Sequence, residues 1–189
     1  MTKTIRATLL AAGALLVALP AYAADMGMNT VTVGGMAMSP SKTIVANAVN
    51  SKDHTTLVAA VKAAGLVGAL SGPGPFTVFA PTNEAFDALP SGTVQTLVKP
   101  ENKATLTKIL TYHVVSGDYT TTKLRALILQ GDGKAELKTL EGGMLTFKMN
   151  GSSNIMVMDE KGDTADITVA DVTQSNGVIQ VIDQILMPS

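Results

Sequence analysis

From about Ser39 to Pro188 the apolar positions of the chain change period once. Up to about residue 130 they recur three and four apart, which is one face of a helix; beyond Ala135 they alternate, which is a strand with one buried face. Thr43–Asn50 predicts a helix capped by Thr43, with Ile44, Val45 and Ala48 inward. Asp53–Ala64 predicts a second, capped by Asp53, with Leu57, Val58, Val61 and Ala64 as its stripe and Gly65 as the left-handed residue that ends it. Leu66–Leu70 adds a turn, and the three pack side by side as short helices. Ser91–Val98, Lys103–Leu110 and Thr121–Leu129 are further helices, with Tyr112-His113-Val114-Val115 passing from the second of these into β-type composition. In the second half Met144–Met149, Ile155–Met158, Ile167–Val169 and a long closing stretch, Gly177–Leu186, read as strands, and Asn150-Gly151 as a hairpin turn. Helices first and strands later, with one early strand, make an α+β domain.

That early strand lies in Gly72–Pro90. A Gly-Pro-Gly-Pro elbow leads into Phe76-Thr-Val-Phe79, Pro81 holds Ala80 extended, and Thr82 or Asn83 caps a short helix carrying Phe86 and Leu89. Three of the four Phe residues fall here, so the core is expected to be densest here.

Composition adds an address. Lys3 and Arg6 precede an apolar run, Ala7–Leu19, too short to span a bilayer comfortably, and Ala21-Tyr22-Ala23 has the form of a cleavage site. Residues 1–23 are expected to be a secretory signal peptide, leaving no membrane span after its removal and an exported protein, periplasmic or secreted. Residues 24–39 are expected to be a flexible Met/Gly-rich tail, and 40–188 the folded domain. There is no cysteine, so an exported domain of this size relies on its core rather than on disulfides.

Charge and residue types exclude much chemistry. Without Lys3 and Arg6 the 14 basic residues become 12 against 15 acidic ones, a net charge of −3, and Arg125 is the one arginine left, so nucleic acid is not an expected partner. With two histidines (His54 and His113) and no cysteine, a zinc-type site is out of reach unless carboxylates supply the remaining ligands, and a thiol nucleophile is excluded. No Gly-x-Ser-x-Gly occurs, and Thr82, the hydroxyl on the sharpest elbow, is a helix cap. Asp159, Glu160, Asp163, Asp166 and Asp171 lack the calcium-loop spacing and read as a solvated hairpin edge. No catalytic residue, metal ligand or cofactor site is expected, and the protein is expected not to be an enzyme. Two apolar or soft-ligand readings remain. Met26/Met28 and Met36/Met38 form Met-x-Met pairs that could hold Cu(I), and Met144, Met149, Met156 and Met158 could line a cleft for an apolar small molecule such as a lipid or pigment.

Phe76-Thr-Val-Phe-Ala-Pro-Thr-Asn-Glu-Ala-Phe86 resembles the first signature block of the fasciclin (FAS1) domain family. Leu110-Thr-Tyr-His-Val-Val115 resembles its Tyr-His motif, and Asn176-Gly-Val-Ile-Gln-Val-Ile-Asp183 with Leu186 and Pro188 its C-terminal block. The resemblance implies a fasciclin-like wedge of β-strands with a layer of short α-helices. It also implies an exported module for cell adhesion or for cell-envelope and extracellular-matrix interaction, binding a cell-surface or matrix macromolecule, protein or polysaccharide. Some members are reported as binders of pigments or lipids. Tyr112 and His113 are the candidate partner contacts it implies. The chain departs from many members at Gln180, where they have His, so a property resting on a titrating imidazole there does not carry over.

Overall fold

The computed structural model describes residues 30–189; the predicted signal peptide and Met26/Met28 lie outside them. Two short strands come first, β1 (Val31–Val33) and β2 (Met36–Met38). Thr43 caps α1 (Ile44–Ala48) by accepting from the Ala46 N–H at 3.3 Å. A 3-10 turn, Lys52–His54, precedes α2 (Thr55–Ala64), so Asp53 is inside the turn rather than at the helix cap. Gly65, at φ +75°, ends α2 as its spacing predicts, and α3 (Val67–Leu70) follows. Strand β3 (Phe76–Pro81) turns into α4 (Asn83–Asp87), where Thr82 accepts from the Ala85 N–H. Then come α5 (Thr93–Leu97), α6 (Lys103–Tyr112), β4 (Val114–Ser116) and α7 (Thr121–Gln130). Strands β5 (Lys134–Lys138), β6 (Met144–Asn150), β7 (Asn154–Met158), β8 (Thr164–Gln174) and β9 (Gly177–Ile182) complete the chain.

Strands β3 to β9 form one sheet in the order β4-β3-β9-β8-β7-β6-β5, parallel between β3 and β9 and antiparallel elsewhere. The sheet curls until its two edges meet: Val115 bridges Thr139, and the Leu140 N–H donates to Val114 at 2.7 Å. Near-closure leaves little free strand edge for another chain to pair with. Because side chains alternate along β3, its neighbours Val78 and Phe79 serve two cores. Val78 joins Leu57, Val61, Leu110 and Ile179 beneath the helices. Phe79 joins Phe147, Leu145, Val157 and Ile182 inside the curl, with the two Phe rings 5.3 Å apart. The result is the α+β wedge the sequence predicts.

Three expectations need correction. Residues 31–38 are not a flexible tail. Strands β1 and β2 pair as a hairpin whose Val33 and Met38 are buried in the core under the helices. Tyr112 belongs to the end of α6, not to a strand. The closing strand stops at Ile182, because the segment after it is held away from the sheet by polar groups: the Leu186 N–H donates to His113 and the Met187 N–H to Asp159.

Candidate functional site

Where α1, α2 and α3 lie on β3, they do not close completely. A cavity of about 110 Å³ remains between them. Its walls are aliphatic: Val45, Ala48 and Val49 from α1 and the residue after it, Val58 from α2, and Val67 and Leu70 from α3. The deeper side is Val78, Phe79, Leu110 and His113. Val49 at 47 % and Val67 at 37 % exposure border a mouth on the surface, so the space connects with solvent. Apart from His113, the ionisable group on its lining is Lys62, an exposed residue in the last turn of α2.

The two candidate partner contacts are inside. Tyr112 is 0 % exposed: its hydroxyl donates to the Met144 carbonyl at 2.8 Å and accepts from the Glu160 N–H at 3.1 Å, and burial pushes its pKa up to about 12. His113 is 3 % exposed: Nδ1 donates to the Ile109 carbonyl at 2.9 Å and Nε2 accepts from the Leu186 N–H at 3.1 Å. That pair of partners selects the neutral ring protonated on Nδ1. Burial holds the pKa down at about 4, against smaller opposing effects of the Ile109 carbonyl and the Asp159 carboxylate. Neither side chain reaches the surface in this conformation, so the expectation of direct contact with a partner is corrected. The dipeptide instead ties α6 to β6, to the turn after β7 and to the C-terminal segment, and His113 contributes to the wall of the cavity. Replacing Tyr112 with Phe is expected to cost about 1–2 kcal/mol, since it strips a donor from Met144 and an acceptor from Glu160 while keeping the ring. Urea unfolding of the pair of proteins measures this.

The other sequence candidates scatter. Met144, Met156 and Met158 stand partly or largely exposed on β6 and β7, Met149 packs at the edge of the core inside the curl, and none of the four lines the cavity. The apolar cleft is therefore not where the methionines predicted it. Met38 is 3 % exposed and Met36 41 %, so only one residue of the second Met-x-Met pair is exposed. His54 is buried, with Nδ1 2.9 Å from Ser51 Oγ, and burial lowers its pKa. The acidic series is not a solvated edge throughout. Asp159 is buried and accepts from the N–H groups of Lys161, Asp163 and Met187, and Asp171 accepts from Thr121 and from the Gln180 amide at 2.8 Å. Gln180, fully buried, also accepts from the Asp171 N–H and donates to the Tyr119 carbonyl, so its side chain is committed to holding β8 and β9 together.

The residues that build the cavity, Val45, Val49, Lys62 and Val67 among them, carry no motif. Sequence spacing marks several as helix faces, but the gap between three short helices is a tertiary property.

Fold and cavity together define a small α+β module with an apolar cavity under a helical layer. The chain belongs to the fasciclin domain family: the family's fasciclin-domain profile matches residues 52–188. Among its relatives, protein sll1483 of Synechocystis is 48 % identical over 160 residues, covering 85 % of this chain and 81 % of that one. The cell surface glycolipoprotein MPB83 of Mycobacterium bovis is 35 % identical over 172 residues, covering 88 % of this chain and 69 % of that one. The fold matches that of a FAS1 domain pair from the insect cell adhesion molecule fasciclin I, with a TM-score of 0.67 and 19 % identity, over 77 % of this chain and 51 % of that one. No helix among the described residues is long and apolar enough to cross a membrane.

Proposed function

We propose that the protein is an exported, non-catalytic binding module that holds an apolar group between α1, α2 and α3. The observation that carries this reading is the cavity: about 110 Å³, bounded almost wholly by aliphatic side chains, and bordered at its mouth by exposed Val49 and Val67. Wet apolar surface around a preformed hollow favours an apolar occupant, because filling it releases water without stranding polar groups. The signal-peptide pattern of residues 1–23 and the surface location in MPB83's name support export. The test is native mass spectrometry, with an absorption spectrum, of the mature protein from its own host. A discrete apolar adduct is expected, and it should disappear in Ala48→Phe, whose ring occupies the hollow. A bare mass from both proteins overturns the carrier reading.

Adhesion to a cell-surface or matrix macromolecule is the second reading, favoured by the likeness to an insect cell adhesion molecule and by the same exposed valines. Here Tyr112 and His113 act at a distance, by shaping the wall and the C-terminal segment. Val49→Ser with Val67→Ser should then reduce cell or matrix attachment without altering the melting temperature. Unchanged attachment counts against this second reading.

A further inference from the structure

The cavity is chemically asymmetric. Its inner side offers a ligand nothing to hydrogen-bond. Both nitrogens of His113 are already engaged, by the Ile109 carbonyl and the Leu186 N–H, and the neighbouring wall is Val78, Phe79 and Leu110. A heteroatom pushed inward would lose its water and gain no partner. The hollow is also small. An empty apolar cavity of about 150 Å³ accepts benzene, so this one has room for a chain end of about four or five carbons.

The rim is different. Lys62, exposed in the last turn of α2, is on the cavity's lining, no Asp or Glu is, and the ion pairs among the described residues engage Lys99, Lys108 and Lys134 but not Lys62. A second ammonium reaches the same end of α2: Lys103 Nζ stands 3.4 Å from where a Cβ on Gly65 would be. An exposed lysine therefore contributes to a lining that is otherwise hydrocarbon apart from the engaged ring of His113.

We propose that the ligand is a single-chain amphiphile with an anionic head, whose chain end enters the cavity and whose head pairs with Lys62 at the mouth. This rests on the apolar-pocket reading above and adds the head group to it. Lysine suits the position because its four-carbon stem lies along apolar surface while the ammonium remains in water. A pair at such an exposed site is worth roughly a 1.5- to fivefold gain in affinity, and salt weakens it.

Octanoate and octanol, titrated calorimetrically into the mature protein at pH 7 and low salt, separate the two layers of the proposal. Octanoate is expected to bind about 1.5- to fivefold more tightly than octanol. In Lys62→Met, which keeps an apolar stem, that preference should vanish while octanol affinity stays put. In Ala48→Phe both should lose binding. If octanol matches octanoate in the wild type, or Lys62→Met leaves octanoate affinity unchanged, the anionic head is wrong and the apolar pocket stands. If neither probe binds, or both still bind Ala48→Phe with full affinity, the pocket reading falls and the head-group proposal falls with it.

Discussion

Replacing His113 with alanine is expected to destabilise the protein by about 3–5 kcal/mol, and acid is expected to weaken the wild type through the same ring. The substitution leaves the Leu186 N–H without its acceptor and the Ile109 carbonyl without the ring donor, and a buried unpaired polar group costs about 1–3 kcal/mol. It also enlarges two apolar spaces that share the imidazole as wall, the one under α1–α3 and a smaller one bounded by Phe86, Leu106 and Ile185, and lost packing adds to the cost. The pH effect follows from the depressed pKa. An unfolded histidine takes up its proton near 6.5, whereas the folded one, desolvated, does so only near 4. Above pH 6.5 neither state is protonated and the ring contributes no pH dependence. As pH falls from 6.5 to 4 the unfolded state gains the proton first, and stability declines by about 3 kcal/mol before levelling off. Protonated Nε2 no longer accepts from Leu186, so the C-terminal segment is the first part expected to loosen. His54, also lowered by burial, acts in the same direction, so the difference between the wild-type and His113→Ala curves isolates His113. Urea midpoints at pH 7.5, 6, 5 and 4 are the measurement. Parallel curves for the two proteins would mean that the imidazole is not the titrating group.

The structural role of this ring was only half legible. The pattern around Leu110–Val115 marks a junction between helix and strand, and the junction is there, later than composition suggests, because Tyr112 completes the last turn of α6. Elements with local signals emerged as read: Thr43 and Thr82 cap their helices, and Gly65 ends α2. Each of those rests on a side chain and a backbone group within a few residues of each other. What the chain hides is held by distant partners. The hairpin of residues 31–38 has strands of only three residues, and it acquires order from placing Val33 and Met38 against the helical core. Strand β8 runs for eleven residues, but register shifts between Ile167 and Val172 break its alternation, and Asp171 sits at φ +56°. A strict period of two therefore identifies only its Ile167–Val169 stretch. Asp159 looks solvated in sequence because nothing local reveals that the Met187 N–H returns to it from 28 residues away. The cavity is least legible of all. Apolar spacing says which helical faces turn inward, whereas the space left between them depends on how closely three short helices can approach one sheet.

Gly177→Ala is expected to cost about 4 kcal/mol or more, a large share of the roughly 5–15 kcal/mol that holds a domain of this size folded. Gly177 starts β9, opposite Phe76 in the parallel β3–β9 pairing, which has strands on both sides of it in the sheet. Its φ is +149°, and a Cβ there would stand 1.9 Å from the Phe76 carbonyl oxygen. The obstacle is backbone, so no side chain can rotate away. Its predecessor makes the site harder to relax. Asn176 accepts from the Ile44 N–H at 3.0 Å and donates to the carbonyls of Leu70 and Gly72, tying the first turn of α1 and the end of α3 to the start of β9. Shifting β9 to admit a methyl group would pull on two of the three helices that wall the cavity. The matched control is Gly162→Ala in the turn before β8. That glycine is at φ +90°, but a Cβ added to it would meet nothing within 4 Å, so its cost is backbone strain alone, about 1–2 kcal/mol. Soluble yield and thermal melting of both variants decide the matter. Equal losses would mean that positive φ, and not the approach of β9 to β3, is what requires glycine at position 177. A much larger loss at Gly177 identifies this crossing as the point on which sheet, helices and cavity jointly depend.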